Sequence, residues 1–286
     1  MIIDKLYERV RERGHVTLGL DTDVSYIPED FLNKYDSLED ALVAFNERII
    51  DATWDVVSSY KVQIAYYEAL GLQGLSAYKR TLDLIRERDV ITIGDVKRGD
   101  IAKTAEMYAR AHFEGDFQCD FITLNPYMGV DTIEPFIPYF KNKNKGAFIL
   151  IRTSNPGAKD IQYIEDKDGS RVYETVGAKL NALNSSLKGS YGYGPIGGVV
   201  GCTHREEGKK LRMDLDNMFF LIPGYGAQGG KAEDVVLYLK EGNGGVVNSS
   251  RKILLAYKNN PLGAGRFDEC AREEAVRMRD EILSKL

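Results

Sequence analysis

"VITIGDVKRGDIAKTAEMYARAHFEGD", residues 90–116, begins as a short apolar run and ends as a segment with helical spacing. Residues 90–97 are rich in β-branched side chains, and apolar residues recur every three or four positions beyond Asp100. Gly99 marks a turn between the two halves. The unit therefore reads as a strand feeding a helix. At the junction Asp95, Lys97 and Asp100 fall within six positions. Such a cluster is either a solvated loop or a set of charges that face one another.

The same unit recurs along the chain. Apolar, β-rich runs stand at 15–21 ("HVTLGLD"), 56–63 ("VVSSYKVQ"), 90–97 and 119–125 ("CDFITLN"). Four more follow at 146–152 ("GAFILIR"), 196–202 ("IGGVVGC"), 218–224 ("MFFLIPG") and 244–250 ("GGVVNSS"). Most are apolar on both faces, as strands enclosed on both sides must be. Amphipathic segments lie between them. "SLEDALVAFNERIIDATWD" starts with a candidate N-cap, Ser37, and repeats Leu42, Phe45, Ile49 and Ala52 at helical spacing. "LSAYKRTLDLIRERD", "REEGKKLRMDL" and "KAEDVVLYLKEG" behave alike. Eight strands alternating with helices predict an α/β chain closed into a (β/α)8 barrel. An open doubly wound sheet is the alternative. It would carry G-x-G-x-x-G after the first strand, and "LGLDTDVSY" does not. The 286 residues suit one barrel domain spanning 1–286. Residues 153–195 form a long excursion between the fifth and sixth strands, with a helix of its own in "RVYETVGAKLNALNSS".

The net charge of −5 is spread over both signs, without a basic block. That argues against nucleic acid as a partner. An anionic substrate would need a local positive site. Cys119, Cys202 and Cys270 are widely spaced and form no C-x-x-C, so neither a disulfide framework nor a metal site is expected. "MIIDKLYERVRERG" reads as a short charged helix, not a signal peptide, and no apolar run reaches the roughly 20 residues a membrane span needs. These features predict a cytoplasmic protein with no membrane partner.

In such barrels the chemistry sits where strands end and βα loops begin. The polar strand ends here are Asp21, Lys61, the pair Asp95 and Lys97, Asn125, the run Arg152-Thr153-Ser154, and Ser249-Ser250-Arg251. Asp95 and Lys97 are two apart on a strand, so both are expected to face the barrel mouth. Asp100 is either the N-cap of the next helix or a second carboxylate beside Lys97. A lysine between carboxylates stays charged, which suits a general acid and not a Schiff base. The Gly-rich "PGYGAQGG" (223–230) and Arg251 in "NSSRK" (248–252) follow strands seven and eight. Those two loops are a common phosphate site in barrels. The expected ligand is a phosphate monoester whose polar body reaches Asp95 and Lys97.

At this level of detail the chain resembles a known family. "DVKRGDIAKTA" matches the D-x-K-x-x-D-I-x-x-T signature of the orotidine 5'-phosphate decarboxylases. "LGLD", "YKVQ", "RTSNPGA", "PGYGAQGG" and "NSSR" agree in order, and the length and "RTSNPGA" resemble the longer, second subfamily. The resemblance implies a homodimeric barrel that converts orotidine 5'-monophosphate to UMP and CO2 without cofactor or metal. It implies that Lys97 donates a proton to C6 and that Asp95 sits by the departing carboxylate. Asp100, Ile101 and Thr104 would reach into the neighbouring subunit's site. Asp21 and Lys61 would bind ribose hydroxyls, Ser154 the pyrimidine, and Gln228 and Arg251 the phosphate. Asn125, at the end of strand four, is a further candidate for substrate binding. "NSSR" departs from the compact Gly-Arg pair of short members, which leaves the backbone donors at 248–250 unassigned. D-x-K-x-x-D by itself is shared with sugar-phosphate relatives. One alternative is therefore a metal-dependent sugar-phosphate lyase or synthase on the same barrel. Another is a non-catalytic barrel that binds a phosphate ligand, although such a protein would not need the full Asp–Lys–Asp set.

Overall fold

A computed structural model describes residues 1–226 and 229–286. The eight runs each supply a strand: β1 (Val16–Leu20), β2 (Ser59–Gln63), β3 (Ile91–Arg98), β4 (Phe121–Leu124), β5 (Gly146–Arg152), β6 (Ile196–Val200), β7 (Phe220–Ile222) and β8 (Gly245–Ser249). They pair in chain order, all parallel, and β1 closes on β8. The longer helices are α1 (Ile2–Arg13), α2 (Leu38–Thr53), α3 (Gly71–Glu87), α4 (Ala102–Phe113), α5 (Val172–Asn184), α6 (Arg205–Asp214) and α7 (Phe267–Leu283). The fold is the (β/α)8 barrel that the alternation predicts, not an open sheet.

Period-two alternation sorts the strand residues into two cores. Ile91, Ile93, Phe121, Phe148, Val199, Phe219, Leu221 and Val246 pack together inside the barrel. The intervening residues face the helices in a larger outer core. Helix α2 begins as its sequence predicts: Ser37 Oγ accepts from the Asp40 amide at 3.0 Å.

Two elements differ from the sequence reading. The N-terminal helix is more than a charged appendage. Its Ile2, Ile3, Leu6 and Val10 join the inner core and close the end of the barrel remote from the active loops. Each such burial contributes about 1.5–3 kcal/mol. The helix expected in "KAEDVVLYLKEG" shortens to one α-turn at Ala232–Val235 and a 3-10 turn at Val236–Tyr238. The chain must reverse there to enter β8, and Glu241 and Gly242 take left-handed φ angles of 51° and 77° to do so. Of the two readings left open for Asp100, the helix cap does not hold. Ile101 holds that position ahead of α4, and Asp100 Oδ1 accepts from the Ile101 amide at 2.8 Å.

Residues 153–195 leave β5 through a 3-10 turn (Pro156–Ala158) and a short helix (Lys159–Gln162), then form α5 before returning to β6. Asn184 fastens the return, its side chain bonding both the Ile196 backbone and the Asn217 carbonyl. All three cysteines are free and buried. Among the described residues no helix is long and apolar enough to cross a membrane.

Candidate active site

The C-terminal ends of β1, β2 and β3 meet in a chain of alternating charge. Lys61 Nζ donates to Asp21 Oδ1 at 2.8 Å and to Asp95 Oδ2 at 2.9 Å. Lys97 Nζ donates to Asp95 Oδ1 at 2.5 Å. Asp95 also accepts from Gln63 Nε2 and Thr123 Oγ1, each at 2.9 Å. Four donors on two oxygens fill the carboxylate. Burial pushes the Asp95 carboxyl up, but the Lys61 and Lys97 ammonium groups outweigh it and hold Asp95 well below the usual carboxylate range. Burial pulls Lys61 down, and Asp21 and Asp95 reverse that, holding it above the ordinary lysine value. Both groups of this buried pair are charged.

Alternation alone does not bring Lys97 to Asp95. The β3–β4 register slips between Gly94 and Arg98, and Lys97 takes a left-handed φ of 43°. Its amide leaves the strand ladder and donates to Thr123 Oγ1 at 2.9 Å, while the same hydroxyl donates to Asp95. Thr123 thus stitches the bulge and the carboxylate together. The bulge lifts Lys97 toward the mouth: its side chain is 47% exposed, against 8% for Asp95.

On the other flank, Ser250 Oγ donates to Asp21 Oδ2 at 2.8 Å and accepts from Asn248 Nδ2 at 3.3 Å. Gly19 makes room for this, since a Cβ there would lie 1.9 Å from Ser250 Oγ. The residues that replace the compact Gly-Arg pair therefore orient Asp21 through side chains.

Above the network lies a cavity of about 780 Å³, in the range of ligand pockets. Lys61, Asp95, Lys97, Thr123, Asn125 and Ser154 line its polar side, and Leu150, Val199, Leu221 and Pro223 its apolar floor. The excursion forms the remaining wall with Ala158, Ile161, Gln162, Val172, Tyr173 and Val176.

The other expected site residues lie elsewhere. Arg251 opens a short helix directly after β8 and lines not the cavity but a separate depression with Lys252, Glu273 and Arg277. Gln228 lies outside the described residues. In the Gly-rich loop, the amides of Gly226, Gly229 and Gly230 bond to carbonyls of that loop and so do not converge on an anion. Asp100, Ile101 and Thr104 are not part of their own chain's cavity; Ile101 is 51% exposed and Thr104 is exposed. Ser250 belongs to a strand end already singled out, whereas Gln63, Thr123 and Asn248 have no place among the expected site residues. Gln63 lies two positions from Lys61, Thr123 two from Asn125 and Asn248 two from Ser250, so period-two spacing was the available signal.

A closed parallel barrel carrying a buried carboxylate between two ammonium groups, under a nucleotide-sized cavity, defines a class: (β/α)8 enzymes that stabilise negative charge with fixed cations. The chain belongs to the orotidine 5'-phosphate decarboxylase / HUMPS family, whose family model matches residues 18–266. It is 64% identical over 286 residues to the orotidine 5'-phosphate decarboxylase of Clostridium tetani, covering 100% of this chain and 99% of that one. It is equally similar, at 64%, to the protein of the same name from Clostridium acetobutylicum, with 100% of both chains covered. The solved structure of Leishmania donovani OMP decarboxylase superposes with a TM-score of 0.78 at 27% identity, over 99% of this chain and 98% of that one.

Proposed function

We infer that this chain decarboxylates orotidine 5'-monophosphate to UMP and CO2. The observation that carries the reading is the Asp95 carboxylate, buried and held between Lys61 and Lys97 on the polar side of the cavity. Breaking the bond from C6 to the carboxylate leaves an electron pair on C6. Fixed positive charge stabilises that pair, and the Lys97 ammonium supplies both the charge and the proton that replaces CO2. The half-exposed side chain of Lys97 lets solvent restore that proton. Asp95 lies where it repels the substrate carboxylate, a repulsion that ends as neutral CO2 departs. Asp21 and Lys61 take the ribose hydroxyls, Ser154 and Asn125 the pyrimidine, and Arg251 and Gln228 the phosphate.

The whole chain acts as one barrel domain, and two copies associate through the face that follows β3 and β4. Ile101, Met107, Tyr127 and Met128 of these segments are exposed large apolar side chains of the kind an interface covers. Through it Asp100, Ile101 and Thr104 complete the partner's site. A cytoplasmic setting goes with this reading, and the free thiols of Cys119, Cys202 and Cys270 suit a reducing compartment. Metal-dependent sugar-phosphate chemistry fits less well, because a divalent cation at Asp95 would have to displace two ammonium groups from filled oxygens.

The test is the absorbance change of orotidine 5'-monophosphate with purified protein, with and without EDTA. Turnover to UMP unaffected by EDTA is expected. No turnover, or turnover lost with EDTA and restored by Mg²⁺, would contradict the reading.

A further inference from the structure

Beside Ser154, at the end of β5, lies a second polar network built of Arg152, Tyr163, Arg171 and Glu207, none of which lines the cavity. Arg152, the last residue of β5, is 1% exposed. Its Nε donates to Glu207 Oε2 of α6 at 2.7 Å, one terminal nitrogen to the Tyr163 hydroxyl at 2.9 Å, and the other to the Thr153 carbonyl. The Tyr163 hydroxyl donates to the remaining Glu207 oxygen. Arg171 stacks on the Tyr163 ring at 4.4 Å and approaches the same Glu207 oxygen at 3.4 Å. Tyr163 and Arg171 both belong to the excursion, which also walls the cavity.

These contacts converge on one residue. Thr153 is held at its carbonyl by Arg152 and at its amide by Gln162 Oε1 at 3.0 Å. Its hydroxyl accepts from Gln162 Nε2 at 2.7 Å and donates to Asn155 Oδ1 at 2.7 Å. Ser154 follows directly, packed against Gly201, where a Cβ would come within 2.9 Å of Ser154 Cβ. A peptide fixed at every polar group leaves the next side chain little freedom. A buried guanidinium of this kind is costly unless its partners are all present, so the network holds together as a unit.

We propose that Arg152, Glu207 and Tyr163 form a positioning clamp that sets Ser154 against the pyrimidine and joins base recognition to the excursion wall. The proposal rests on Ser154 reading the base. Arg152 and Glu207 act through Ser154 and do not touch the substrate. The clamp explains why β5 carries an arginine at its end although that side chain does not line the cavity.

The test is a double-mutant cycle on kcat/KM for orotidine 5'-monophosphate, using Ser154→Ala with Tyr163→Phe and with Glu207→Gln, both nearly isosteric. Binding of ribose 5-phosphate, which lacks the base, serves as the control. Each clamp substitution alone should lower kcat/KM by about 10- to 100-fold, the usual effect of removing a supporting partner. In the Ser154→Ala background it should lower kcat/KM by less than about 3-fold, because the route through Ser154 is already cut. Ribose 5-phosphate should bind all variants alike. Full, multiplicative losses in both backgrounds, or no loss from either clamp substitution, would overturn the clamp. Weakened ribose 5-phosphate binding would show general disruption of the barrel and would overturn it too. If Ser154→Ala alone changes nothing, the reading of Ser154 falls first, and the proposal falls with it.

Discussion

Asp95 is buried with both oxygens filled, whereas Lys97, two residues on, is half exposed and rests on a bulge. Substitution should separate their roles. Asp95→Ala leaves Lys61 buried with one counter-ion in place of two, which should cost about 3–5 kcal/mol in urea unfolding. Lys97→Ala gives up one partly exposed ion pair, so stability should change by no more than about 1 kcal/mol. Turnover should nonetheless fall by more than about 100-fold, the usual scale of a general acid. Circular dichroism and turnover measured on the same preparation check both statements. The pair was legible because two charges at the end of an apolar run are conspicuous. Thr123 was not, because a threonine inside a strand is ordinary there and its role depends on a register slip that no local pattern announces.

Helix α4 carries a titratable group the mechanism does not use. His112 is 2% exposed, and its Nε2 accepts from Arg98 Nε at 3.4 Å. Burial, and then the charge of Arg98, push it down to about 4. An unfolded histidine titrates at about 6.5. The unfolded chain therefore binds the proton first. The contribution to stability is whole above about 6.5 and is lost as pH falls toward 4, at up to about 1.4 kcal/mol per pH unit. His112→Gln keeps an acceptor for Arg98 and removes the titration. Urea unfolding at pH 7.5, 5.5 and 4.5 should show a shallower decline for the variant; parallel declines would mean that His112 is not held neutral. Other elements show how far local pattern reaches. Ser37 and the apolar spacing of α2 specify that helix by themselves. In α1, Ile2, Ile3, Leu6 and Val10 stand at helical spacing, but what they pack against was not visible, because the inner core joins them to strand residues as distant in sequence as Val246. The segment after β7 read as a longer helix than it forms, since the reversal into β8 overrides propensity.

Across the whole molecule, the closed barrel followed from counting strand–helix units, and the positions of Asp21, Lys61, Asn125 and Ser154 followed from strand ends. The excursion was visible as an insertion. Its use as a cavity wall was not, because that depends on how α5 and the turn before it fold back over the mouth. Asp100 raises the same problem between chains: it does not line its own chain's cavity and is followed by exposed Ile101 and Thr104. The account requires a second copy to receive it. Subunit complementation tests this most directly. Inactive Lys97→Ala and inactive Asp100→Ala are mixed, and exchange of subunits is verified by mass. Each mixed dimer then holds one site with both defects and one with neither. Activity should return to about a quarter of wild type, the statistical expectation for random exchange in a two-fold dimer with independent sites. Verified exchange with no recovered activity would show that Asp100 serves its own chain, and would contradict a site built from two.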